Sequence, residues 1–209
     1  MAEVKQNGVV VSPSAGSGDT ILQVKAETAN RGNRVVQLAV FEVEGVGVDE
    51  KKKFVANHLP AAEFIKFDNT SPAVDKGGGR ITLTGESNSQ KITFSKGTGD
   101  IISADLAAIK FTANGAEATS GTAISGDPGA KAKYSFSLTL TAAANGTIKA
   151  RTQQIIAVAS GGQKATVTLK QTAGDPFIEV APTEINVPQD GSAVQVTVDT
   201  NTTFTVNPK

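Results

Sequence analysis

The chain has 209 residues, enough to bury a sizeable core as one large or two ordinary domains. Its 20 Lys and Arg balance 20 Asp and Glu, so no basic field exists to attract nucleic acid or an anionic membrane, and no apolar run approaches the roughly 20 residues that span a bilayer. The absence of cysteine excludes disulfide scaffolds, thiolate zinc sites and thiol catalysis, while a single tyrosine and no tryptophan leave almost nothing to stack on sugar rings.

The opening residues Met1 to Gly8 lack the basic and then apolar stretches of a secretory leader, so the sequence as written does not read as an export precursor. From there the signal is β throughout. Ile21–Ala26, Arg80–Thr84, Tyr134–Thr141, Lys164–Lys170 and Ala193–Val198 alternate apolar and polar residues, which places one face of each strand in a core and the other in water. Turn clusters separate them at Ser14–Asp19, Asp75–Gly79, Asp127-Pro128-Gly129, Asn145-Gly146, Gly161-Gly162 and Gln189–Gly191, the rhythm of an antiparallel sandwich. Asn145-Gly146 predicts a hairpin turn with both residues at positive φ. One short helix is predicted over 103–109, with Ser103 as its cap.

A repeat divides the chain. Phe64-Ile65 returns 113 positions later as Phe177-Ile178, and Phe54 and Ala56 return as Val167 and Leu169. Phe67, Val74, Gly78, Ile81, Leu83 and Asn88 fall on Val180, Val187, Gly191, Val194, Val196 and Asn201 without a gap. Leu22-Gln23-Val24, Asn30 and Arg34 follow the order of Leu138-Thr139-Leu140, Asn145 and Arg151. The chain therefore reads as three segments. Residues 1–62 resemble the back half of a sandwich, 63–175 a complete one, and 176–209 a front half. A half sandwich leaves an apolar face and a strand edge unpaired. Three arrangements answer this: residues beyond Lys209 that complete the last segment, a first segment that is a compact sandwich of few strands, or completion of 1–62 by 176–209 of another subunit.

Chemistry is sparse along this framework. His58, the only histidine, stands before Leu59-Pro60 where the repeat has Gln171, and reads as a packing or hydrogen-bonding residue at a segment junction. Gly77-Gly78-Gly79 lacks the Lys-Ser/Thr pair and helix of a phosphate loop. Asp127-Pro128-Gly129 lacks the alternating ligands of a calcium loop. Lys51-Lys52-Lys53 follows Asp49-Glu50 and reads as solvated. Asn69-Thr70-Ser71, Asn145-Gly146-Thr147 and Asn201-Thr202-Thr203 match the glycosylation triplet as Asn/Thr-rich turns often do. The sequence thus nominates no catalytic, cofactor-binding or metal-binding residue and predicts a protein that is not an enzyme.

Phe177–Pro182, Gly191, Val194–Val198 and Asn201–Val206 resemble the opening of a BACON domain, and Arg151–Gly174 resemble its closing strands. These immunoglobulin-like sandwiches occur in Bacteroidota and in the crAss-like phages that infect them. The resemblance covers about two thirds of the chain. It departs at Phe204, where the family often has Trp, and at an insertion-like stretch around 98–130. It implies an all-β fold of tandem immunoglobulin-like, BACON-like antiparallel sandwiches and carries over no ligand residues.

The function it implies is that of a virion structural protein: an auxiliary capsid, decoration or head-fibre-base protein. Such a protein assembles in the host cytoplasm and binds the major capsid or other virion proteins and copies of itself, as a homo-oligomer or repeated on a lattice. It needs no export signal, nucleic acid, membrane or cofactor. The alternatives are a Bacteroidota cell-surface adhesion or spacer module and a glycan-binding accessory domain.

Overall fold

The structure, a computed structural model, describes residues 2–209. The chain is all-β, built of antiparallel sheets around an immunoglobulin-like sandwich. Three groups of strands follow one another along it.

The first group begins with β1 (Val4–Gln6), β2 (Val9–Ser12) and β3 (Gln23–Ala26), which form a three-stranded antiparallel sheet. Facing it is a ribbon of β4 (Val36–Val43) and β5 (Lys52–His58), whose register shifts between Gln37 and Ala39. Val9, Val11, Ala39 and Phe41 make a small core between sheet and ribbon, with Phe41 stacked on Phe54 at 5.2 Å. Few side chains close this core, and one side of it stays open.

The middle group is a full sandwich. Its strands are β6 (Ile65–Phe67), β7 (Ala73–Val74), β8 (Gly79–Ser87), β9 (Ile92–Lys96), β10 (Lys110–Ala113), β11 (Ala116–Thr119), β12 (Tyr134–Ala142), β13 (Arg151–Ala159) and β14 (Lys164–Gln171). One sheet has the order β11-β10-β12-β8-β6 and the other β7-β14-β13-β9. All pairs are antiparallel except β7 with β14. Period-two patterning does the sorting: Tyr134, Phe136, Leu138, Leu140 and Ala142 of β12 all point into the core. Phe94 lies at the centre, edge-on to Phe111 at 5.1 Å and 6.0 Å from Phe136.

The last group is a two-stranded antiparallel sheet of β15 (Ile178–Ala181) and β16 (Thr197–Thr200). Its pairing copies that of β6 with β8. Ile178 pairs with Thr200, Glu179 with Asp199 and Val180 with Val198; Ile65 pairs with Ser87, Lys66 with Glu86 and Phe67 with Gly85. Every partner is displaced by the same 113 positions that separate the sequence repeats.

Two local expectations are corrected. Residues 103–109 form no helix. The backbone N–H of the buried Ile102 is taken by Gln153 Oε1 at 2.5 Å, and Asp105 Oδ1 accepts from Ala107 N at 3.0 Å, so the chain turns before a helical ladder can begin. Ser103 caps nothing; its carbonyl accepts from Lys96 Nζ at 3.0 Å. Asn145-Gly146 is not a hairpin turn either, because neither residue has positive φ and Asn145 is buried. The positive-φ Asn-Gly turns are Asn7-Gly8 (49° and 76°), which closes β1–β2, and Asn114-Gly115 (49° and 80°), which closes β10–β11.

Candidate interaction surface

The polar residues that sequence singles out are held by the fold. His58 Nε2 accepts from Asn30 N at 3.1 Å. Lys51 pairs with Glu42 and Glu44, Lys52 with Glu50 and Lys53 with Glu42, all at the surface. Asn69 Oδ1 accepts from Ser71 N at 2.9 Å within its own turn. Asp75 and Gly78 close the turn that carries the glycine run. Among the described residues no group of three or more His, Cys, Asp or Glu is placed to hold a metal ion, and no helix is long and apolar enough to cross a membrane.

One polar cluster gathers where the first and middle groups meet. Glu63 accepts from Ser160 Oγ at 2.6 Å and from Gly161 N at 2.5 Å, and Ser160 Oγ lies 2.9 Å from Ser89 Oγ. Burial works to raise the Glu63 carboxyl, but the hydrogen bonds from Ser160, Ser89 and Gly161 and the charge of Arg34 together hold it below its ordinary value. Tyr134 donates to Ser89 O at 2.6 Å, and burial pushes its phenol up to about 12. Arg34 bridges to Gln90 Oε1 and to Asp127 Oδ2, the latter at 3.1 Å. The Tyr134 bond ties the start of β12 to a loop, and the other contacts join loop to loop.

The joints between groups are built twice from asparagine. At the first, Asn88 Oδ1 accepts from Phe64 N at 2.9 Å and its Nδ2 donates to Ala62 O at 3.0 Å. At the second, Asn201 Oδ1 accepts from Phe177 N at 3.1 Å and its Nδ2 donates to Asp175 O at 2.9 Å. A second asparagine completes each joint. Asn30 Nδ2 donates to Arg34 O (2.8 Å) and Leu59 O (3.0 Å); Asn145 Nδ2 donates to Lys149 O and Thr172 O (both 2.8 Å). Ala61 N then bonds Gly32 O at 2.8 Å, as Gly174 N bonds Thr147 O at 2.7 Å. Sequence alignment pairs these asparagines, but not their bonds, which join residues far apart in the chain.

Beyond the joints lie apolar faces. A groove of about 690 Å³ opens between the first sheet and its ribbon, lined by Val9, Val24, Leu38, Phe54 and Ala56 and ending at His58. The last group leaves Phe177, Ile178, Val180, Val194, Val196 and Phe204 exposed. A row of apolar side chains beside an unpaired strand edge is a surface suited to adding strands from another chain.

No family model matches the chain, and no curated protein matches it. Among solved structures, the chain is similar to a Bacteroides ovatus GH5 xyloglucanase in complex with a XXXG heptasaccharide, at 16% identity over 55% of this chain and 19% of that one, with a TM-score of 0.33. It is also similar to WR4, a C. elegans MSP family member, at 14% identity over 53% of this chain and 97% of that one, with a TM-score of 0.28. The chain thus spans about a fifth of the length of the xyloglucanase.

Proposed function

We propose that this protein is a non-enzymatic virion structural protein, an auxiliary capsid, decoration or head-fibre-base protein of a crAss-like phage, which binds a capsid lattice and copies of itself. The observation that carries the structural role is the duplicated joint. The same asparagine bonds recur at both segment boundaries, so successive sandwich units hold one fixed relation along the chain, as a spacer or lattice-binding protein requires. The resemblance of Phe177–Val206 and Arg151–Gly174 to BACON domains supports the virion setting. On a repetitive lattice many weak contacts act together, so no single deep pocket is needed.

Mass spectrometry of purified virions, with copy number measured against the major capsid protein, tests this reading. Many copies per particle are expected. Absence from virions, with the protein found instead on the surface of the bacterial cell, would replace it by a surface spacer module.

A further inference from the structure

The segments 18–26 and 192–200, which carry β3 and β16, match the two halves of a strand pair that the middle of the chain already contains. Deepening the self-binding part of the reading above, on which it rests, we propose that residues 192–200 of one copy, which include β16, add to residues 18–26 of a second copy, which include β3. Residues 177–206 then close the groove of residues 2–58 in the neighbouring chain.

The pairing of β8 with β12 is the template. β12 is bonded on one edge by β10 and on the other by β8. β3 stands where residues 139–142 of β12 do, has β2 on one edge, and has no partner on the other among the described residues. β16 stands where residues 84–87 of β8 do, with β15 in the place of β6, and its second edge is likewise unpaired among the described residues. In the middle sandwich Leu138 pairs with Leu83, Thr139 with Thr82 and Leu140 with Ile81. Carried through the repeat, that register sets Leu22 opposite Val196, Gln23 opposite Gln195 and Val24 opposite Val194. The joined sheet would again have five strands with β15 in the place of β6, although β1-β2-β3 runs in chain order where β10 and β11 exchange places in β11-β10-β12.

Burial at matched positions shows what the free copies lack. Leu83 is 3% exposed and its counterpart Val196 is 42%; Val74 is 4% and Val187 is 64%. On the other side, Leu138 is 0% exposed and Leu22 is 37%; Leu140 is 2% and Val24 is 45%. These are core positions of one sandwich, divided between two surfaces. Their side-chain volumes also complement each other. A Cβ on Gly85 would lie 2.5 Å from the Phe136 ring, so the middle pair matches a glycine to a large aromatic. By the same register the exchanged pair matches Val198 to Thr20: volume added to one strand is removed from the other. A second copy of this chain fits as the occupant, because its own repeat carries this complement.

Thr82 and Thr139 place their hydroxyls 3.3 Å apart on the outer face of the template pair, which locates a test at their counterparts Gln195 and Gln23. The chain has no cysteine, so Q23C and Q195C each carry one thiol. Oxidation of an equimolar mixture is expected to give mainly a disulfide heterodimer of twice the 21.4 kDa chain mass. Q23C mixed with E184C, exposed on the same segment but outside residues 192–200, is expected to give only background. The native chain should sediment as concentration-dependent oligomers. V196D should sediment as a monomer with unchanged circular dichroism, because Val196 is exposed when the segment is free.

Equal cross-linking by E184C, or a native chain that stays monomeric at every concentration, would overturn the proposal and assign the edge to another partner. A monomeric protein that is still abundant in virions would overturn strand exchange and leave the virion role standing. A self-associating protein absent from virions would do the reverse.

Discussion

Asn145 carries more of the joint than its position in a loop suggests. It is buried, and its side chain satisfies the carbonyls of Lys149 and Thr172 and the amide of Thr147. Asn145→Ala leaves those groups without partners away from water, and the expected loss is about 2–3 kcal/mol in urea unfolding. Asn201 makes a similar set of bonds near solvent, where water replaces them, so Asn201→Ala should cost less than about 1 kcal/mol. Tyr134 gives a second, spectroscopic prediction. Burial raises its phenol from 10.0 to about 12, so the folded state holds the proton more tightly than the unfolded state does. The resulting stability is complete below pH 10 and is lost as pH rises toward about 12. As the only tyrosine, Tyr134 should show its phenolate absorbance near that upper value in the folded protein, and Tyr134→Phe should reduce the alkaline slope of stability. A phenolate appearing near pH 10 with the fold intact would contradict this burial.

Glycines distinguish the true hairpins from the apparent one at the level of elements. Gly115 sits at φ 80° in the β10–β11 turn, whereas Gly146 has ordinary φ and open space around its Cα. Gly115→Ala should therefore destabilise by about 1 kcal/mol, and Gly146→Ala should be neutral or stabilise by roughly 0.4–1 kcal/mol, both by chemical denaturation. The same contrast marks what the sequence makes legible. Strands such as β12 and β14 announce themselves because each half-buried strand repeats its pattern every two residues, which is a local property. The 113-residue repeat likewise survives into the pairing register of β15 with β16. Asn145-Gly146 and the segment 103–109 mislead because tertiary partners override local preference: Thr172 and Lys149 hold Asn145, and Gln153 takes the Ile102 amide. The joints are legible only as aligned asparagines, since an amide side chain does not state which distant carbonyl it will meet.

At the scale of the molecule, a strand passed from one copy to the next is a heterologous contact, and it builds rings or open filaments according to the rotation between copies. Because every copy is the same chain, an exchange of this kind would repeat one rotation at every step. Such an assembly has a thermodynamic signature that a monomer lacks. The middle sandwich contains its own core and should unfold independently of protein concentration. Residues 2–58 would gain stability only when a neighbour's strand binds, by an amount that grows with the logarithm of concentration, about 1.4 kcal/mol for each tenfold once binding exceeds the dissociation constant. Hydrogen exchange across a dilution series should therefore show constant protection in β8, β12 and β13, and protection over residues 18–26 and 192–200 that rises together with concentration. V196D should abolish the rise in both segments and leave the middle sandwich unchanged. If protection over residues 18–26 rose without 192–200, or remained after V196D, the segment meeting residues 18–26 would not be 192–200 of this chain.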